Sequence, residues 1–143
     1  MKLSSISLLL LRLAISYIWL EAGISKLLNP KFIESFPSTI EAFAKNTNFD
    51  FYTDFLNKYI LPNSQIVAQL TVWGEILTGI VFLLGFPLLV GVLVGIFMNA
   101  NYFLVATSAP SQFVNLILIF SQFAVWANGA GSIWGLDAKL VKK

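Results

Sequence analysis

Four apolar runs, each long enough to cross a bilayer, leave this chain little choice of fold. A spanning helix needs about 20 predominantly apolar residues, because each residue rises about 1.5 Å against a hydrocarbon core about 30 Å thick. The runs extend over about Ser5–Leu28, Ile66–Phe86, Pro87–Thr107 and Ser111–Asn128. Composition agrees with them. Of 143 residues, 57% are hydrophobic and 11% charged, against roughly 45–50% and about 25% in soluble domains. One small soluble core cannot hide that excess, and the mean hydropathy of +0.80 says the same. The expectation is an all-α integral membrane four-helix bundle, a single membrane domain over residues 1–143.

The joints follow the same logic. Gly85, Phe86 and Pro87 leave only a tight hairpin between spans two and three, since Gly ends a helix well and Pro begins one well. Ser108, Ala109 and Pro110 make the next short turn. Lys2 precedes the first apolar run as in a signal peptide, but Arg12 interrupts that run and no small-residue cleavage pattern follows, so it reads as a retained span. The long connection, residues 29–63, is polar yet keeps apolar residues at helical spacing: Phe36, Ile40 and Phe43, then Phe51, Phe55 and Tyr59. Two short amphipathic helices are expected, broken near Asn46 to Asp50. Their apolar faces would lie on the lipid headgroups or cover one mouth of the bundle; such stripes ordinarily mean a packed cap, and the functional alternative is a lid over a ligand site. Lys2, Lys139, Lys142 and Lys143 lie close to the outer spans, whereas Lys31, Lys45 and Lys58 are spread along the long loop. This asymmetry places both termini in the cytoplasm.

The formal net charge of +2 is scattered, which argues against nucleic acid as a partner. There is no cysteine and no histidine. Thiol exchange, zinc or Fe–S binding and haem ligation by such residues are therefore excluded within the chain, and no metal site is expected. Redox chemistry would need an organic cofactor or a partner subunit.

Charges at membrane depth cost about 2.5–3.5 kcal/mol each on insertion scales and usually face a bundle interior. Arg12, Glu21 and Glu75 stand out, with Lys26 near the end of span one and able to snorkel. Arg12, Ser16, Trp19, Gly23 and Lys26 form one stripe of span one; Tyr17, Glu21 and Ser25 form a second on the other side, so the span is expected between neighbours. Arg12 and Glu75 fall at comparable depth and are expected to interact, as a structural pair or as part of a proton or ligand site. In span three, Gly91 and Gly95 permit close helix packing and Asn99 continues their stripe; in span four, Gln122 faces inward with Asn115 and Trp126.

Taken together, these residues resemble the DoxX/DoxD family of small four-helix membrane proteins. The resemblance rests on Leu11-Arg12-Leu13 followed by Gly23-Ile24-Ser25-Lys26, on Glu75-Ile76-Leu77-Thr78-Gly79 with Leu83-Leu84-Gly85, and on a glycine-rich close from Gly131 through Gly135-Leu136-Asp137. It implies a membrane component of an oxidoreductase system, of which the DoxD type serves thiosulfate:quinone oxidoreductase. On that footing a quinone is the expected cofactor, with Glu75 and Glu21 as protonatable groups and Arg12, Lys26, Asn99 and Gln122 as ligand contacts. The same materials suit a lipid-like ligand. The competing expectation is a noncatalytic anchor that stabilises a larger complex of membrane subunits; a small transporter is a third, without internal repeats to support it.

Overall fold

A computed structural model describes residues 2–140, and within them the chain is all-α. Helix α1 (Leu3–Leu28) is followed by α2 (Phe32–Asn46) and α3 (Asp50–Phe55), then α4 (Ser64–Leu84), α5 (Leu88–Val105), α6 (Ala109–Ala127) and a terminal turn α7 (Asp137–Leu140). Four helical stretches are long and apolar enough to span a membrane: Leu3–Leu28, Asp50–Leu84, Leu88–Val105 and Ala109–Ala127. Lys142 and Lys143, used above to orient the chain, lie outside the described residues.

The ends of these helices have local causes. Gly85 takes the left-handed conformation (φ 66°) that terminates α4, and its N–H reaches Val81 O at 2.8 Å. The Phe86–Pro87 peptide is cis. Ser108 caps α6 by accepting the N–H of Ser111. The long connection forms the expected pair of short helices, broken at residues 47–49. Helix α2 stands alone, but α3 runs into α4 through a π turn (Leu56–Ile60) and a 3₁₀ turn (Leu61–Asn63). Pro62 lacks an N–H and crowds the carbonyl four residues back, so the ladder shifts register there without breaking. Phe51 and Tyr59 face outward, 64% and 54% exposed, while Tyr52 and Leu56 are buried. The inward face of this helix is one residue off the predicted stripe at its start.

The bundle has two apolar centres. Ile15, Trp19, Phe82, Leu88, Val92 and Val125 pack near the α4–α5 hairpin. Phe36, Ile40, Ala44, Tyr52, Leu56 and Ala68 pack where the long connection folds over the other end. Between them, α1 and α4 run antiparallel at very short range. A Cβ on Gly79 would stand 2.9 Å from Leu20 N, and one on Gly23 would stand 2.9 Å from Ile76 N. Ser16 Oγ donates to Gly79 O at 2.8 Å. The tail returns to the hairpin: the N–H groups of Leu136 and Asp137 donate to Leu84 O and Gly85 O, satisfying the C-terminal carbonyls of α4.

Only one stripe of α1 is buried. Arg12, Ser16, Trp19 and Gly23 face the bundle, while Tyr17, Glu21 and Ser25 face outward. The expectation of neighbours on both sides is thus not met within this chain, because α4 and the returning tail both pack on the same face.

Two outcomes follow from this architecture. Gly79→Ala forces a methyl against the backbone of Leu20 and should destabilise the protein by about 1–3 kcal/mol, read as a lower midpoint of thermal unfolding in mild detergent. In the cysteine-free chain, Trp134→Cys and Phe86→Cys should react with an impermeant thiol reagent from one side of sealed vesicles, and Lys58→Cys from the other. Same-side labelling of Phe86→Cys and Lys58→Cys would contradict the antiparallel arrangement.

Candidate functional site

The antiparallel register of α1 and α4 decides which buried charges meet. Residues later in α1 lie against residues earlier in α4, so Glu75 stands opposite Gly23 and its carboxylate is reached by Lys26 from one turn further on. Lys26 Nζ donates to Glu75 Oε1 at 2.9 Å and to Oε2 at 2.8 Å, and to Ala22 O at 3.2 Å. Tyr102 of α5 donates its hydroxyl to Glu75 Oε1 at 2.5 Å. Glu75 is 1% exposed, and its carboxylate is held by one cation and one hydroxyl. A buried acid in lipid persists only with such partners.

Arg12 does not take part. It lies at the opposite end of the bundle, where its Nη1 donates to Ala130 O at 2.7 Å and Ile133 O at 3.0 Å. Gly85 and Gly135 give it room, since a Cβ at either would stand within 2.7 Å of Nη1. The expected Arg12–Glu75 pair is therefore corrected: the antiparallel register sets Gly23 against Glu75 and brings Arg12 to Gly85, about 15 Å further along α4. Arg12 instead ties the returning tail to the hairpin. Glu21 is exposed on the outer face of α1 and does not approach Glu75.

Of the remaining expected contacts, Asn99 (2% exposed) and Gln122 (0%) are buried in the bundle centre, behind Tyr102 as seen from the long connection. Gln122 packs against Gly95, where a Cβ would overlap its side-chain carbonyl. Tyr102 itself was not singled out from the sequence. The signal was there: it follows Gly91, Gly95 and Asn99 by one more turn on the same face of the helix.

Lys26 and Tyr102 also line a cavity of about 480 Å³ beneath α2 and α3. Its walls are apolar and rich in aromatic groups, among them Phe32, Phe36, Phe43, Phe55 and Phe97. Two hydrogen bonds hold the roof to α5, and a third ties α3 to α2 within it. Thr47 Oγ1 donates to Leu104 O at 2.6 Å, Tyr52 OH to Asn101 Oδ1 at 2.5 Å, and Thr53 Oγ1 to Ala44 O at 3.0 Å. The aromatic stripe of α2 thus covers a cavity as the lid alternative requires, and it also packs as an ordinary cap. The polar end of the cavity is a compensated ion pair, with all three Lys26 N–H groups engaged and Glu75 shielded behind them. An apolar chamber of this size with a few convergent polar groups is a common form of small-molecule site. Among the described residues, no cluster of acidic side chains has the form of a metal site.

Removing one member of the buried pair should be costly. Lys26→Met or Glu75→Gln alone should reduce stability by about 3–5 kcal/mol, whereas the double variant recovers a large part of the loss. The same cycle between Arg12 and Glu75 should be additive. Detergent unfolding midpoints at matched protein concentration measure both.

The family model described as DoxX matches residues 7–108, which include Lys26, Glu75 and Tyr102 but not the glycine-rich tail. No curated protein and no solved structure gives a significant match.

Proposed function

The chain belongs to the DoxX family, membrane proteins often linked to oxidoreductase systems, and we propose that it is a membrane subunit of a quinone-linked oxidoreductase of the thiosulfate:quinone kind, residing in the cell membrane with cytoplasmic termini. The observation that carries the reading is the aromatic cavity ending on Lys26 and Tyr102, with Glu75 bonded to both behind them. Its volume suits a ring with a short apolar tail, and its walls offer flat surfaces for the ring. Its polar end is neutral overall, because Lys26 is already paired with Glu75. A neutral head group is therefore favoured over a carboxylate or phosphate, which would have to compete with Glu75 for the same cation.

A bound quinone supplies two-electron redox chemistry and carbonyl oxygens that take up protons. The residues of this chain do the rest. Phe36, Phe43 and Phe55 orient the ring and exclude water. Tyr102 presents a phenolic oxygen at the polar end, and Lys26, its N–H groups already taken by Glu75 and Ala22 O, fixes the edge of the site beside it. Glu75 holds the negative charge that keeps Lys26 in place and is within hydrogen-bond reach of both. Proton exchange by general acid–base groups requires such proximity.

One observation favours the second reading, a noncatalytic subunit that anchors a larger complex. Tyr17, Glu21 and Ser25 form an outward stripe on a spanning helix, and a carboxylate there is better accommodated by a partner helix than by lipid. Both readings imply other membrane subunits as partners.

The test is equilibrium binding of a short-chain quinone to the purified protein in lipid nanodiscs. Thr71→Trp, which fills the cavity, should weaken binding about tenfold or more, equivalent to about 1.4 kcal/mol. A fatty acid of similar length should compete poorly. Quinone binding that is absent, or indifferent to Thr71→Trp, leaves the anchoring role as the better account.

A further inference from the structure

Each of the four spanning helices buries a side chain with an unpartnered polar atom near the bundle centre: Trp19 from α1, Thr78 from α4, Asn99 from α5 and Gln122 from α6. Their exposures are 3%, 2%, 2% and 0%. The packing register brings them close together. Leu20 lies against Gly79, which on antiparallel helices sets Trp19 level with Ile80, about half a turn of α4 from Thr78. Gly95 lies against both the Thr78 methyl, at 3.4 Å from an added Cβ, and the Gln122 carbonyl. Asn99 is one turn further along α5, between that layer and Tyr102.

In each of the four, one polar atom has no hydrogen-bond partner among the described residues: Trp19 Nε1, Thr78 Oγ1, Asn99 Nδ2 and Gln122 Oε1. Two of these are donors, one is an acceptor, and the threonine hydroxyl is both. Gln122 spends its amide nitrogen on Leu118 O at 3.0 Å, which leaves its carbonyl turned to Gly95. Buried polar groups are rarely left unpaired, since lipid offers no substitute. Donors and acceptors that share a small interior region without meeting one another are the usual surroundings of structural water, which makes two to four such bonds.

We propose that Trp19, Thr78, Asn99 and Gln122 bind a small cluster of ordered water in the bundle interior, and that this cluster donates a hydrogen bond to the Tyr102 oxygen. Tyr102 spends its own proton on Glu75, so its oxygen is free to accept from the Asn99 side. Hydrogen bonds in such a chain polarise one another, and the water therefore tightens the Tyr102–Glu75 contact at the base of the cavity. On the other side Phe82, Leu88, Val92 and Val125 close the layer with apolar packing. The water site stands on its own geometry; only its use by a ligand rests on the quinone reading above.

Proton-detected solid-state NMR of the ligand-free protein in bilayers, with magnetisation transferred selectively from water, tests this directly. Transfer is expected to the Trp19 indole proton and the Asn99 amide protons despite their burial. Thr78→Val, which keeps the side-chain shape, should reduce it several-fold, and Asn99→Leu should move the Tyr102 hydroxyl resonance. Absence of transfer, with a direct Asn99–Gln122 cross-peak in its place, would overturn the proposal, as would transfer that Thr78→Val leaves unchanged. Because no quinone is present, failure of the ligand reading cannot produce either result.

Discussion

The close antiparallel contact of α1 with α4 is the constraint on which the rest depends. It exists because Gly23 and Gly79 carry no side chain where the two backbones meet. In lipid, apolar surface gives helices no reason to prefer one another over acyl chains, so close packing and buried polar contacts must hold them. The glycines permit the first, and the Ser16–Gly79 hydrogen bond with the Lys26–Glu75 ion pair provides the second. Once that register is set, the polar residues of α1 sort themselves along its length. Lys26 reaches the acid of α4 at one end, and Arg12 reaches the hairpin and the returning tail at the other.

The two ends are used differently. Arg12 is consumed by backbone carbonyls and secures a closed, glycine-lined junction. At the other end the ion pair sits beneath a chamber that α2 and α3 cover with aromatic rings. The asymmetry has a simple origin. The loop joining α4 and α5 is too short to cover anything, whereas the 35 residues between α1 and α4 fold back as helices over the bundle mouth. The compensated charge beneath them is what allows an ionisable site to border an apolar cavity without attracting counter-ions into it.

Much of this was legible in the residues. Period and length revealed the four spans, the hairpin at Gly85 to Pro87 and the aromatic stripe of α2. The burial of Arg12, Glu75, Asn99 and Gln122 followed from the cost of exposing polar groups to lipid. The pairing did not. Depth alone suggests Arg12 with Glu75, but the antiparallel register places Arg12 at Gly85, about three turns of α4 from the acid. Glu21 was drawn inward for a similar reason: a charged residue on a span suggests an interior, yet α1 has a single packed face. The Phe51–Tyr59 stripe is present but exposed, because aromatic rings at helical spacing line an outward face as readily as a packed one.

The sequence by itself determined that this chain lives in a bilayer as an all-α four-span protein without cysteine or histidine chemistry, since apolar run length and residue type are properties of the chain alone. The tertiary structure decided which charges neutralise each other, that Tyr102 completes the acid's environment, and that the long connection encloses a cavity. Those outcomes depend on helix direction and register. Both are set by where backbones can approach, and a linear pattern of polar and apolar residues does not specify that.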